Sequence, residues 1–238
     1  MNDKQSQALR TAAIVLAGMT AAMNVLGGVG TSCAAFFTRD WPQLWALYDY
    51  RWLYQVLVVT TTLLGIAGVW ATIGLSRGKK NALRNILILL VIGTILGGIQ
   101  MYASLELLGK ARPANFKFYI NALTLLVFLV YRLPGIRDRV DFSKSADSAD
   151  RTTAGGLAAI AAACIVLSTA SWAGPSHTFQ GENAVHLLQT PLNVLGAILA
   201  LVGLGLLVRV AVRVRTDVRR QESARAGLQL EQEPERSL

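Results

Sequence analysis

LRNILILLVIGTILGGIQMYASL, residues 83–105, is the stretch that decides the fold. From Ile86 to Ile99 it carries no charged side chain, and Thr94 is its one polar residue. A helix needs about 20 predominantly apolar residues to cross about 30 Å of hydrocarbon, and this run supplies them. In a soluble helix the apolar residues would form a stripe; here they cover every face.

Working outward, five further runs of the same kind occur at 11–36, 52–75, 116–133, 154–172 and 191–212. The sequence therefore predicts an all-α, polytopic membrane protein, a bundle of six transmembrane helices. Composition agrees: of 238 residues 53% are hydrophobic and 16% charged, against roughly 25% charged in a soluble domain. None of the six runs has a charge in its central part. The fourth is short and flanked by Lys117 and Arg132, whose long stems can carry their charges out to the headgroups. Pro191 suits the first turn of the sixth helix and Pro134 closes the fourth. Lys4 and Arg10 resemble the start of a secretory signal, but the run after them is too long and lacks a clean cleavage site.

The formal net charge is +9, which on a soluble protein would suggest nucleic acid. The placement of the basic residues gives another cause. Lys4 and Arg10, then Arg77, Lys79, Lys80 and Arg84, then Arg132, Arg137, Arg139, Lys144 and Arg151, then the arginines from Arg209 onward, fall on alternate connections. The other connections hold only Arg39, Arg51, Lys110, Arg112 and Lys117. Positive residues stay inside, so both termini are expected in the cytoplasm of a bacterial cell. The protein is then a multi-pass protein of the plasma (inner) membrane, and no nucleic-acid partner is implied.

This threading divides the chain. Residues 1–136 form a four-helix membrane segment with an outer loop at 38–51 that is rich in aromatics (Trp41, Trp45, Tyr48, Tyr50). Such rings favour the headgroup level, and 43–50 is expected to form a short interfacial helix. Residues 137–151 are a mixed-charge cytoplasmic linker, expected to be mobile. Residues 152–212 form a two-helix membrane segment with an outer loop at 173–190. Residues 213–238 are a basic tail; from Arg209 the sixth helix is expected to continue, dense in arginine, with no fixed structure from 221 on. Helices in lipid associate through small residues: Gly65 and Gly68 on the second run, Gly93 and Gly97 on the third, and glycines and alanines throughout the fifth. The fifth is expected inside the bundle, and the third and fourth are expected to face lipid. Cys33 and Cys164 are read as buried thiols.

Nucleotide-binding, zinc-protease and serine-hydrolase signatures are all missing from the chain. No enzymatic chemistry is implied, and no cofactor. Two constellations remain. Asn24, Gln55, Gln100, Asn121 and Asn193 place an amide on five of the six runs, away from their cytoplasmic ends. Buried amides need partners, so these either bond across helices or line a ligand-binding vestibule open to the outside. His177, Glu182 and His186 share the last outer loop and form a candidate metal or haem set. Three functions follow: accommodation of a small ligand or lipid, a structural subunit docking a membrane-protein partner or a second copy, and a His-ligated membrane oxidoreductase.

Overall fold

The computed structural model describes residues 3–111, 114–137, 140, 142, 148–174, 178–179 and 181–232. Its elements run α1 (Asp3–Phe36), a 3-10 helix (Pro42–Tyr50), α2 (Arg51–Ser76), α3 (Ala82–Leu108), α4 (Ala114–Val130), α5 (Ser148–Leu167), α6 (Thr169–Trp172), β1 (Thr178–Phe179), β2 (Glu182–Asn183), a second 3-10 helix (Ala184–Leu188) and α7 (Gln189–Gln232). The two strands form a minimal antiparallel hairpin, with Thr178 opposite Asn183. The other elements are all helices. Among the described residues five helices are long and apolar enough to cross a membrane; α4, at 17 residues, is a shorter apolar helix. At 1.5 Å per residue α4 covers about 26 Å, slightly less than the hydrocarbon thickness.

Helices α1 to α4 form a ring. α1 packs along α2, α2 against α3, α3 against α4, and α4 returns to α1. α5 lies on the outside of α1, and α7 on α5. The α1–α2 seam is the tightest. A Cβ on Gly65 would stand 2.7 Å from the Val25 nitrogen and 3.0 Å from the Ala21 carbonyl oxygen, and one on Gly28 would meet Thr62. Glycine is required here because the partner is backbone, which cannot turn aside. Where α1 begins, called the near end below, Ala13, Ile14, Leu75, Ile86, Leu90 and Phe128 form an apolar core. At the opposite, far end, Leu47 of the first 3-10 helix closes a smaller cluster with Ala35 and Tyr54.

Several expectations need correcting. The fifth apolar run does not occupy the centre. α5 is covered by α1 and α7 but exposes Leu157 and Cys164, while α1 takes the central place. Small residues on all faces allow close approach from any side and do not specify which. Cys164 is consequently exposed and Cys33 half-buried, both as free thiols. Within the segment read as a mobile linker, Val140 and Phe142 are buried. Phe142 stacks on Phe128 at 6.3 Å and meets Tyr131 edge-on at 5.8 Å; an apolar pair in a polar stretch has a core to return to. α7 continues into the basic tail as expected but runs on past 221, where no fixed structure was expected, to Gln232. The largest correction concerns Lys117. It does not reach toward headgroups but is buried, at 3% exposure.

Candidate functional site

The inward-facing residues of α4 are Ala114, Lys117, Asn121, Thr124 and Phe128. Their spacing of three and four places them on one stripe, and the stripe's centre is polar, while Tyr119, Leu123, Leu126 and Leu129 point out. The helix is apolar outside and polar inside. On α1 the same spacing aligns Thr20, Asn24 and Thr31, and on α3 it aligns Gly93, Gly97, Gln100 and Ser104. These stripes meet in the middle of the α1–α4 ring.

The contacts form a ladder. Nearest the near end, the Thr20 hydroxyl donates to the Leu16 carbonyl at 2.9 Å and lies 2.7 Å from the Thr124 hydroxyl. A hydroxyl has one hydrogen, so Thr124 is the donor in that pair. One turn on, Asn24 and Asn121 exchange bonds: Asn24 Nδ2 donates to Asn121 Oδ1 at 3.1 Å, and Asn121 Nδ2 donates to Asn24 Oδ1 at 2.8 Å. Asn121 Nδ2 is also 2.8 Å from the Lys117 carbonyl oxygen. Gly93 makes room for the pair, since a Cβ there would stand 2.2 Å from Asn121 Oδ1. Further toward the far end, Lys117 Nζ donates to Gln100 Oε1 and, at 3.2 Å, to Thr61 Oγ1. Gln100 Nε2 donates to Thr31 Oγ1 at 2.8 Å, and Thr31 passes its own hydrogen to the Gly27 carbonyl at 2.6 Å. Tyr54 and Ser104 pair at 3.2 Å beyond.

Beside Lys117 and Gln100 lies a cavity of about 100 Å³. Its walls are Met23, Leu26 and Thr31 of α1, Ala114 of α4, Thr169 and Trp172 of α6, and Leu192 of α7, with Val185 and Leu188 of the second 3-10 helix at its far end. The lining is mostly apolar; Lys117, Gln100 and Thr31 meet it together, and Thr169, whose hydroxyl donates to the Val166 carbonyl, also borders it. This is the usual make-up of a ligand site, a greasy wall with a few placed polar groups, and its size suits a small ring or the first atoms of a chain. A second cleft, of about 280 Å³, opens at the near end between Lys79, Lys80, Tyr131 and Arg137. It holds none of the amides.

The structure treats the five amides differently. Asn24 and Asn121 are brought together and bond to each other. Gln100 is bonded to Thr31 and Lys117 and borders the cavity. Gln55 is half-buried at the far end, where its Nε2 donates to the Ala35 carbonyl at 3.3 Å. Asn193 is exposed and accepts from Gln189, one turn earlier on α7, at 2.9 Å. Residues that the amide pattern missed are Lys117, Thr20, Thr31, Thr61 and Thr124. Their signal was present in the shared stripe of 117, 121 and 124. Of the histidine set, His177 and the Glu182 side chain lie outside the described residues, and His186 is exposed. Among the described residues no three His, Cys, Asp or Glu side chains converge as metal ligands would.

Compared with known proteins, the chain matches no family model, no curated protein and no solved structure.

Proposed function

We propose that this is a six-span protein of the bacterial inner membrane, with both termini in the cytoplasm, whose cavity accommodates a small apolar or weakly polar ligand, or part of a lipid, from the outer side. The 17-residue α4 serves as the sixth span, and the excess of basic residues at the near end supports the orientation. The observation that carries the functional reading is the cavity of about 100 Å³ at the far end, walled by apolar residues and bordered by Lys117, Gln100 and Thr31. Native mass spectrometry of the detergent-extracted protein tests it. The expected result is a retained small adduct that is lost from Ala114→Phe, a substitution at a buried wall position, while helical content is kept. An adduct equally abundant in both proteins, or none in the wild type, would refute it. Reporter fusions near Ser145 should read as cytoplasmic and fusions in 173–190 as external.

A second reading, a subunit docking a partner or a second copy, is favoured by one observation. α7 packs on α5 and the adjoining 3-10 helix and leaves Leu201, Leu204 and Val208 exposed. The same spectra would display that species directly.

A further inference from the structure

Lys117 stands in an unusual setting. Its side chain is buried among four helices, in a segment apolar enough to lie in a bilayer, where ionisable groups are expensive and mark function. A lysine one turn from a helix end would ordinarily extend outward to water; this one turns inward. Among the described residues no carboxylate pairs with it. Its partners are neutral oxygens, Gln100 Oε1 and Thr61 Oγ1. An ammonium has three donors, so among the described residues one is left, and Lys117 borders the cavity. A buried cation without a counter-charge is costly, and nothing in the ladder supplies one. The first turn of α4 lines the same cavity through Ala114, and the N-terminal end of a helix also favours negative charge. Gly27 leaves room for the stem: a Cβ there would stand 3.1 Å from Lys117 Cδ.

We infer that the cavity takes a single-chain amphiphile whose one anionic group, a carboxylate or a phosphate, pairs with Lys117 Nζ while its chain lies along Met23, Leu26, Leu188 and Leu192. This rests on the cavity reading above and adds the charge of the ligand. The cavity volume is right for the headgroup and the first few methylenes, and the remainder of the chain continues outside it. Gln100 acts as a positioning residue. Held at Nε2 by Thr31, it presents Oε1 to Lys117 and keeps the ammonium beside the cavity.

The test uses the full chain in nanodiscs of neutral phosphatidylcholine and three photoreactive probes with the same dodecyl chain: a carboxylate, a phosphate monoester and an alcohol. Labelling of wall residues, Leu26 and Leu188 among them, is read by peptide mass spectrometry. Both anionic probes should reach half-labelling at a concentration at least about tenfold lower than the alcohol, as expected for a charge-assisted contact. Lys117→Met should erase that gap while alcohol labelling persists, and Lys117→Arg should keep the gap. Excess inorganic phosphate should not displace the anionic probes; displacement would make the ligand a free anion and overturn the amphiphile. Equal labelling of the wild type by all three probes, as a neutral amine would give, overturns the anionic assignment and leaves the cavity reading standing. No wall labelling by any probe removes the cavity reading itself. If Lys117→Met does not fold, the ranking of the three probes on the wild type still decides.

Discussion

The α1–α4 ring and the α5–α7 pair are made of the same kind of apolar helix, yet they are held in different ways. Inside the ring, helices are joined by directional bonds: Thr20 to Thr124, Asn24 to Asn121, Lys117 to Thr61 and Gln100. At the α5–α7 seam, closeness comes from glycines. A Cβ on Gly203 would meet the Gly156 carbonyl oxygen at 2.8 Å and Ile160 Cγ1 at 2.7 Å, and one on Gly196 would meet Leu167 at 2.6 Å. Lipid offers no hydrophobic drive for helices to meet, so both devices are needed somewhere. Small residues set how near two helices come. Polar pairs set their rotation and register, because an amide has few acceptable partners. In the ring that register brings Lys117, Gln100 and Thr31 together beside the cavity; the outer pair is held by close contact.

The sharpest way to break the comparison is at Gly65, where both demands meet. Gly65→Ala pushes a methyl against α1 backbone at two points, and α1 is the helix on which α2, α4 and α5 all pack. Overpacking of this kind costs typically 1–3 kcal/mol, and the upper end, about 3 kcal/mol, is expected here because backbone cannot rotate away. Denaturant titration of the protein in mixed micelles, followed by helical signal, measures it. A loss below about 0.5 kcal/mol would mean that α1 and α2 are not seated as described.

Next comes the amide pair. Asn121→Leu leaves Asn24 buried, at 4% exposure, and without its partner. The expected loss is about 1–3 kcal/mol. The double substitution Asn24→Leu with Asn121→Leu should restore part of it, since two apolar groups leave nothing unsatisfied. The double-mutant cycle should give a coupling of about 0.6–1.7 kcal/mol. Zero coupling would show that the two amides are satisfied independently, and the ring would then resemble the outer pair.

Gly203→Ala tests the other side of the comparison. Its obstacle is also backbone, but α7 has α5 as its main neighbour and can shift outward. A loss of about 1 kcal/mol is expected, at the low end of the overpacking range. It should show as faster amide exchange in 198–206 with protection around Asn24 and Asn121 unchanged. Exchange rising equally in both places would mean that the outer pair and the ring unfold as one unit.

How much of this was legible follows from the same physics. The apolar runs declare themselves because hydrocarbon demands length and excludes charge, and five of the helices came out near the expected positions. Lys117 was misread because a charge close to the end of an apolar run is normally a flank. What overrides that rule is its register: 117, 121 and 124 share one face, and two of the three are uncharged polar groups that need a partner. The identity of the partner was not legible. Asn24 finds Asn121 only once α1 and α4 are turned toward each other, and no local pattern states that rotation. The position of α5 was illegible for the opposite reason, since alanine and glycine on every face leave all rotations equally good. Phe142 lay in a segment whose polarity hid its one aromatic side chain.

The smallest effect should come from Asn193→Ala, and it decides what the amide pattern meant. Asn193 was grouped with Asn24 and Asn121 by depth along its run alone. In the structure it is exposed, and its Oδ1 accepts from Gln189 on the same helix, a pair of the i, i+4 kind worth about 0.2–0.5 kcal/mol. Its removal should cost no more than that and should leave probe labelling at Leu26 and Leu188 unchanged. If depth in the membrane were what made an amide matter, Asn193→Ala and Asn121→Leu would weaken the protein alike. If enclosure by other helices is what matters, the two should differ severalfold. A loss above about 1 kcal/mol for Asn193→Ala, measured in the same micelles, would mean that another surface covers this face of α7, favouring the docked-subunit reading over the ligand site.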